Sequence, residues 1–193
     1  DVEASSVTWS FEMKWDGIRA IAVLDTGKAT LFSRNRNDLT AQYPSIAESL
    51  VAQSPVEKLV LDGEIVALDK AGVPNFSLLQ QRMGVTQARE VAVLEEQVPV
   101  HYLAFDLLNI NGRDLRQEPY RVRRQLLQEL KVTGVIQVPE AIDKDLHDAI
   151  SASKRESLEG IIAKKSDKPY RAGKRSRDWV KIKNSRTQSV VIG

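Results

Sequence analysis

The sequence predicts an α+β fold of antiparallel sheets flanked by helices. Two observations carry that expectation. Short runs of strand formers outnumber the stretches with helical periodicity. Several of these runs are separated only by tight-turn signals, as at Asp25-Thr26-Gly27-Lys28 and Asn111-Gly112, so that strands follow one another as hairpins.

The elements follow in order. Residues 7–13 predict a strand, and 19–24 and 29–33 predict a hairpin across the Asp25–Lys28 turn. A polar loop with Arg34 and Arg36 comes next. Residues 43–52 place Ile46, Ala47, Leu50 and Val51 at helical spacing, with Pro44 suited to the first turn. Residues 58–68 form a strong strand interrupted by Asp62-Gly63-Glu64. Buried without partners those acids are costly, so either a bulge leaves them in water or Glu64 is held in a pocket. Residues 75–83 predict a helix capped by Asn75, and 87–96 a weaker one. Residues 98–108 predict a long strand with Tyr102, Ala104, Asp106 and Leu108 on one face and His101, Leu103, Phe105 and Leu107 on the other. A helix over 120–131 follows Pro119, then a short strand at 135–138 and an amphipathic helix over 142–153. Residues 159–165 form a strand opened by Glu159-Gly160. Residues 178–183 alternate, with Trp179, Lys181 and Lys183 on one face.

Composition narrows the chemistry. The 193 residues fit one large domain or two small ones, and 42% hydrophobic content is enough for a sizeable core. The absence of cysteine excludes disulfides, thiolate metal sites and a cysteine nucleophile, and it fits a reducing compartment. No run approaches the length of a membrane span, and the N-terminus has no signal layout. Because it starts at Asp1, the chain is expected to be a piece of something longer. The net charge is only +2, but residues 164–186 hold ten Lys and Arg against Asp167 and Asp178, a local +8 that leaves −6 elsewhere. A basic end on an acidic body points to a polyanion: nucleic acid, nucleotide or anionic lipid.

The stretch that organises the rest is Glu12-Met13-Lys14-Trp15-Asp16-Gly17-Ile18-Arg19. In an extended chain Glu12, Lys14 and Asp16 share one side, and Gly17 permits a turn. Charge spacing alone leaves two readings: a surface ion-pair ladder, or a lysine nucleophile aimed at phosphate or carbonyl. Further polar residues on strands recur at Arg34, Glu64, Glu159, Lys181 and Lys183. Together they supply an amine, two acids suited to a divalent metal and cations suited to phosphates, an inventory for phosphoryl or nucleotidyl transfer. There is no glycine-rich phosphate loop or dinucleotide fingerprint, and His101 and His147 lack metal spacing.

The order of motifs resembles the adenylation domain of ATP-dependent DNA ligases, within the lysine nucleotidyltransferase superfamily. Lys-x-Asp-Gly-x-Arg is matched at Lys14, Asp16, Gly17 and Arg19, and Asp-Gly-Glu at Asp62, Gly63 and Glu64. The aromatic motif is matched at Ala104-Phe105-Asp106, Glu-Gly at Glu159-Gly160, and Trp-x-Lys-x-Lys at Trp179, Lys181 and Lys183. The wording around Lys14, and Tyr170-Arg171-Ala172-Gly173-Lys174-Arg175-Ser176, is most similar to the ligase domain of bacterial ligase D, the end-joining type.

The resemblance implies the ATP-grasp-like nucleotidyltransferase fold of DNA ligases, with a nucleotide cleft between the sheets. Residues 1–186 would form the adenylation domain, and 187–193 a last strand or the connection to an OB-fold domain. Lys14 would be the nucleophile that takes AMP from ATP, supported by Asp16 and Gly17. ATP would be bound by Glu12 at the adenine edge and Phe105 on its face, with Arg19, Arg34, Glu64, Arg175, Lys181 and Lys183. Glu64 and Glu159 would hold Mg2+ or Mn2+. AMP would pass to the 5′-phosphate of nicked or broken double-stranded DNA, which is then sealed in end-joining repair. The basic segment 164–186 would serve both nucleotide and DNA backbone. Flanking OB-fold, nuclease and polymerase domains, an end-binding protein and a bacterial cytoplasmic location are implied, and no membrane. An RNA ligase, a capping-type enzyme or a catalytically silent DNA-end-binding module are the rival readings.

Overall fold

The computed structural model describes residues 8–142, 145–173 and 176–184. In chain order the strands are β1 (Trp9–Met13), β2 (Ile18–Asp25), β3 (Lys28–Ser33), β4 (Lys58–Ala67), β5 (Val100–Ile110), β6 (Arg113–Asp114), β7 (Ile136–Gln137), β8 (Gly160–Lys165) and β9 (Trp179–Lys183). The helices are α1 (Pro44–Gln53), α2 (Phe76–Gln80), α3 (Ala88–Gln97), α4 (Tyr120–Glu129) and α5 (Leu146–Arg155). They build a large sheet ordered β3-β2-β4-β5-β6, with β7 beside β5, and a three-stranded sheet ordered β1-β8-β9. The expected mixed fold with antiparallel sheets is thus present, with one exception: β7 pairs with β5 in parallel.

The turn chemistry sets the hairpins. Thr26 and Gly27 both take positive φ (50° and 79°), so a two-residue turn joins Asp25 to its partner Lys28. Asn111 and Gly112 (φ 48° and 85°) do the same between β5 and β6.

In the large sheet one face carries Ala20, Ala22, Leu24, Leu59, Leu61, Ile65, Tyr102, Ala104 and Leu107 into the main core, where α1 adds Ile46, Ala47 and Leu50. Each fully buried Leu or Ile there is worth about 1.5–3 kcal/mol. The small sheet has its own core. Phe11, Ile161 and Ala163 meet Ala149 of α5, with Val180 and Ile182 packed against them.

Local structure departs from the sequence reading in four places. The acids at 62–64 do not interrupt β4, which runs unbroken from Lys58 to Ala67. Strict alternation over 101–108 fails because β5 carries extra residues. Gly63 faces Ala104 while Asp62 faces Asp106, and Leu61 faces Leu107 while Val60 faces Asn109, so Phe105 and Leu108 are bulged. Leu107 therefore joins Tyr102 and Ala104 in the core instead of opposing them. Helix α2 stops at Gln80, although Asn75 caps it as expected by accepting from Leu78 N at 3.2 Å. Helix α5 begins only at Leu146, where the Asp145 carboxylate accepts from Asp148 N at 2.8 Å. Ile142 is instead spent on β1, donating to Phe11 O at 2.7 Å.

Candidate active site

Register aims the polar residues of both sheets at one another. In the small sheet Glu12 pairs with Ile162, Ile162 with Lys181, Lys164 with Trp179 and Gly160 with Lys183. Partners share a face and alternate residues return to it, so Glu12, Lys164, Trp179, Lys181 and Lys183 lie on the face opposite the α5 core. Lys14 N donates to Gly160 O at 2.9 Å, which carries the pairing one step past β1 and seats Lys14 beside Glu159. In the large sheet Arg19 pairs with Glu64 and Glu64 with Leu103, so Arg19, Asp62, Glu64 and Asp106 occupy the face away from the main core. Aromatic groups bridge the two faces. Phe105 meets Trp179 edge-on at 6.1 Å between ring centroids, and the Arg19 guanidinium carbon lies 5.8 Å from the first ring and 6.0 Å from the second.

Two glycines permit the close approaches. A Cβ on Gly17 would collide with the Ile65 carbonyl oxygen, and one on Gly160 with that of Ile182. Gly17 thus lets the chain leaving Lys14 cross against β4, and Gly160 lets β9 lie beside the start of β8.

The Lys14 amine is largely enclosed, its side chain 15% exposed, and it donates to Glu159. The other Glu159 oxygen is 2.7 Å from Lys183 Nζ. Burial pushes the Glu159 carboxyl up, but the two ammonium groups outweigh it and hold it below the usual range. Asp16 is exposed beyond the end of β1. Of the two readings left by charge spacing, the Glu12–Lys14–Asp16 ladder is absent: each goes elsewhere, because the strand ends at Met13.

Glu12 is buried. One oxygen accepts from the Tyr120 hydroxyl, the other is 2.6 Å from Lys164 Nζ, and Arg124 lies 3.9 Å away. Lys164 is fully buried, its ammonium 4.1, 4.7 and 4.8 Å from the ring centroids of Trp179, Phe105 and Tyr120. The cations of the basic segment are therefore not all turned outward. Lys164 is interior, and Lys165 and Arg171 lie 3.6 and 3.8 Å from Asp178.

Glu64 has no hydrogen-bond partner for its carboxylate among the described residues. Burial pushes its carboxyl up to about 7, against the pull of Arg19 and Lys14, and Lys181 adds to that pull. Those influences bring Glu64, Lys14, Arg19 and Lys181 into one electrostatic neighbourhood. Arg19 itself is clamped: Nε donates to Asp62 Oδ1 at 2.9 Å and Nη2 to Oδ2 at 2.5 Å.

Arg34 is exposed in the turn leaving β3, one residue past the Ala20–Ser33 pair that ends the ladder. Arg175 lies outside the described residues, as does the segment 187–193. Sequence reasoning gave no individual role to Tyr120 or Tyr170, and placed Lys164 and Trp179 only within the basic segment and the Trp-x-Lys-x-Lys motif. The signal for Lys164 was its place on a strand directly after the apolar run Ile161-Ile162-Ala163, whereas Tyr170 had only its place among cations and in the stretch similar to ligase D.

The described residues contain no group of three or more side chains suited to caging a metal ion. The donor set fits a different use. Mg2+ takes one or two carboxylates together with substrate phosphates, and Glu159 and Glu64 supply that number. Among the described residues no helix is long and apolar enough to cross a membrane.

A family model described as ATP dependent DNA ligase domain matches residues 2–183. The chain is 40% identical over 185 residues to the multifunctional non-homologous end joining protein LigD of Mycobacterium bovis, covering 96% of this chain and 23% of that protein. It is 38% identical over 193 residues to DNA ligase C1 of Mycolicibacterium smegmatis, covering 95% of this chain and 53% of that one. The chain thus spans from about a quarter to about half the length of these relatives. Among solved structures, mycobacterial DNA ligase D complexed with ATP and MES superposes with a TM-score of 0.76 at 38% identity, over 91% of this chain and 54% of that one.

Proposed function

Since the chain belongs to the family of ATP-dependent DNA ligase domains, we propose that it is the adenylation module of a bacterial end-joining DNA ligase, with Lys14 as the residue that carries AMP. The observation that supports this most is the placement of Lys14. Its enclosed amine is paired to Glu159 at the mouth between two sheets whose facing sides bring Glu64, Arg19, Lys181 and Lys183 together.

The Lys14 ammonium first loses a proton to solvent water, because only the neutral amine has an electron pair to give. Nζ then bonds to the α-phosphorus of ATP, the α–β bridging P–O bond breaks, and pyrophosphate leaves with that pair. Glu159 is a poor base, held ionised by its two ammonium neighbours, and its part is to orient the amine. Lys181 and Lys183 meet the charge that develops on the phosphates, and Arg34 and Arg175 extend this toward the rest of the nucleotide and the DNA end. Glu64 faces the ribose, and Phe105 stacks on adenine beside Trp179. Glu12, locked to Lys164, bounds the base end of the cleft. Asp16 and Gly17 shape the chain leaving the nucleophile. Glu159 and Glu64 would hold a divalent cation arriving with the triphosphate, which would supply positive charge to the phosphate oxygens.

AMP then passes to the 5′-phosphate of a nick, and the 3′-hydroxyl displaces it to close the backbone. Residues 1–186 form this module, and 187–193 lead toward an OB-fold. The parent joins breaks in double-stranded DNA in the bacterial cytoplasm, alongside nuclease and polymerase domains and an end-binding protein.

The test is joining by the full-length parent with Mg2+ or Mn2+, using ATP or GTP and nicked DNA or nicked RNA. ATP-dependent sealing of DNA is expected. Preference for GTP, or sealing of RNA alone, would move the chain to the capping or RNA-ligase branch. DNA binding without any adduct would leave an end-binding module.

A further inference from the structure

Arg19 is clamped by Asp62 of its own sheet and is met as well by a residue from the connection between two strands of the other sheet. Tyr170 belongs to the connection between β8 and β9, and its backbone N–H donates to Arg116 O at 2.8 Å. Its hydroxyl donates to Asp62 Oδ2 at 2.7 Å and accepts from Arg19 Nη2 at 3.1 Å. Asp62 is fully buried, so its carboxylate has no water to complete its hydrogen bonds, and the three bonds from Arg19 and Tyr170 satisfy it.

The ring of Tyr170 is fixed in turn. Trp179 meets it edge-on at 5.8 Å between centroids, and the Arg123 guanidinium carbon lies 5.8 Å from its centroid. Arg123 is itself fully buried and bidentate to Asp106, at 2.7 and 2.9 Å. A chain of satisfied polar groups thus runs from β5 through α4 to the hydroxyl that meets Arg19. The guanidinium has two of its nitrogens committed, leaving Nη1 with no partner among the described residues, on a side chain 45% exposed.

From this arrangement we infer that Tyr170 is a positioning residue for Arg19. Its hydroxyl completes the Asp62 carboxylate and holds the guanidinium so that the uncommitted Nη1 edge is presented to the nucleotide. The inference rests on the function proposed above for the site. It assigns to the β8–β9 connection the task of tying the small sheet to a phosphate- or ribose-binding arginine of the large one.

Tyr170→Phe removes the hydroxyl and keeps the ring between Trp179 and Arg123, and a melting curve checks that the fold persists. Two readouts decide the role. The first is hydrogen exchange at Arg19 Nε–H by 15N NMR, which needs no chemistry. It is expected to be about tenfold faster in Tyr170→Phe, the scale of one lost hydrogen bond to a charged group. The second is formation of the lysine–AMP adduct by the full-length parent. In it kcat/KM for ATP falls about tenfold, carried by KM, and Tyr170→Phe has no further effect in an Arg19→Ala background. Unchanged exchange at Arg19, or losses that multiply independently in the double variant, would overturn the assignment. A wild-type parent that forms no adduct would sink the proposed function, while the exchange measurement would still decide whether Tyr170 holds Arg19.

Discussion

Replacing Glu64 with Gln should make the protein more stable in alkaline solution. Glu64 sits in mid-strand between buried Gly63 and Ile65, without a hydrogen-bond donor among the described residues, and burial lifts its carboxyl from the ordinary 4.5 to about 7. The unfolded chain releases this proton near 4.5, so between there and about 7 the folded state holds a proton that the unfolded state has lost. Stability from this group therefore falls as pH rises through that window and stays low above it. A gap of about 2.5 in pKa at 1.36 kcal/mol per unit is roughly 3 kcal/mol. Gln has the same shape and no charge to desolvate, so Glu64→Gln should match wild type near pH 5 and exceed it by about 2–3 kcal/mol at pH 8. Urea unfolding in EDTA at pH 5, 6, 7 and 8 measures this directly. With an m-value of roughly 3 kcal/mol/M the midpoint should move by about 1 M at pH 8. An equal gap at pH 5 and pH 8, or a less stable Gln variant at pH 8, would refute the reasoning. Stability given up at a carboxylate without a structural partner is what a binding group looks like before its ligand arrives.

Two further outcomes follow from the packing. Arg123→Met leaves Asp106 buried without its partner and should cost about 3–5 kcal/mol, whereas Arg123→Met with Asp106→Leu should recover most of it; thermal or urea melts of the three variants check this. Gly17→Ala forces a methyl against the Ile65 carbonyl at the crossing over β4 and should cost about 1–3 kcal/mol, with adduct formation falling more than tenfold; a stable, fully active Ala variant would contradict that close approach.

Much of the fold was legible because local chemistry dictates it. Asp25-Thr26-Gly27-Lys28 and Asn111-Gly112 specify two-residue turns, and Pro44 and Asn75 mark helix starts that the structure keeps. The candidate site stood out for a different reason. Lys14, Glu64, Glu159, Lys181 and Lys183 are polar residues set on or at the ends of strands, where an unexplained charge is conspicuous. Tertiary pairing hid the remainder. The bulge at Phe105 falls where the pairing of β5 with β4 shifts between Asp62 and Gly63, and no pattern within 101–108 announces it. Lys164 looks like one more surface cation until Glu12 and three aromatic rings surround it. Tyr170 acquires meaning only when the β8–β9 connection brings it to Asp62, which lies 108 residues earlier.

The enclosed amine of Lys14 is the atom we propose takes AMP. Proteolytic mapping of the full-length parent, by mass spectrometry after incubation with ATP and Mg2+ and kept away from acid, locates the adduct. AMP on the peptide containing Lys14, absent from Lys14→Ala and released by pyrophosphate, is the predicted result. AMP on another residue, or an adduct undiminished in Lys14→Ala, would contradict it.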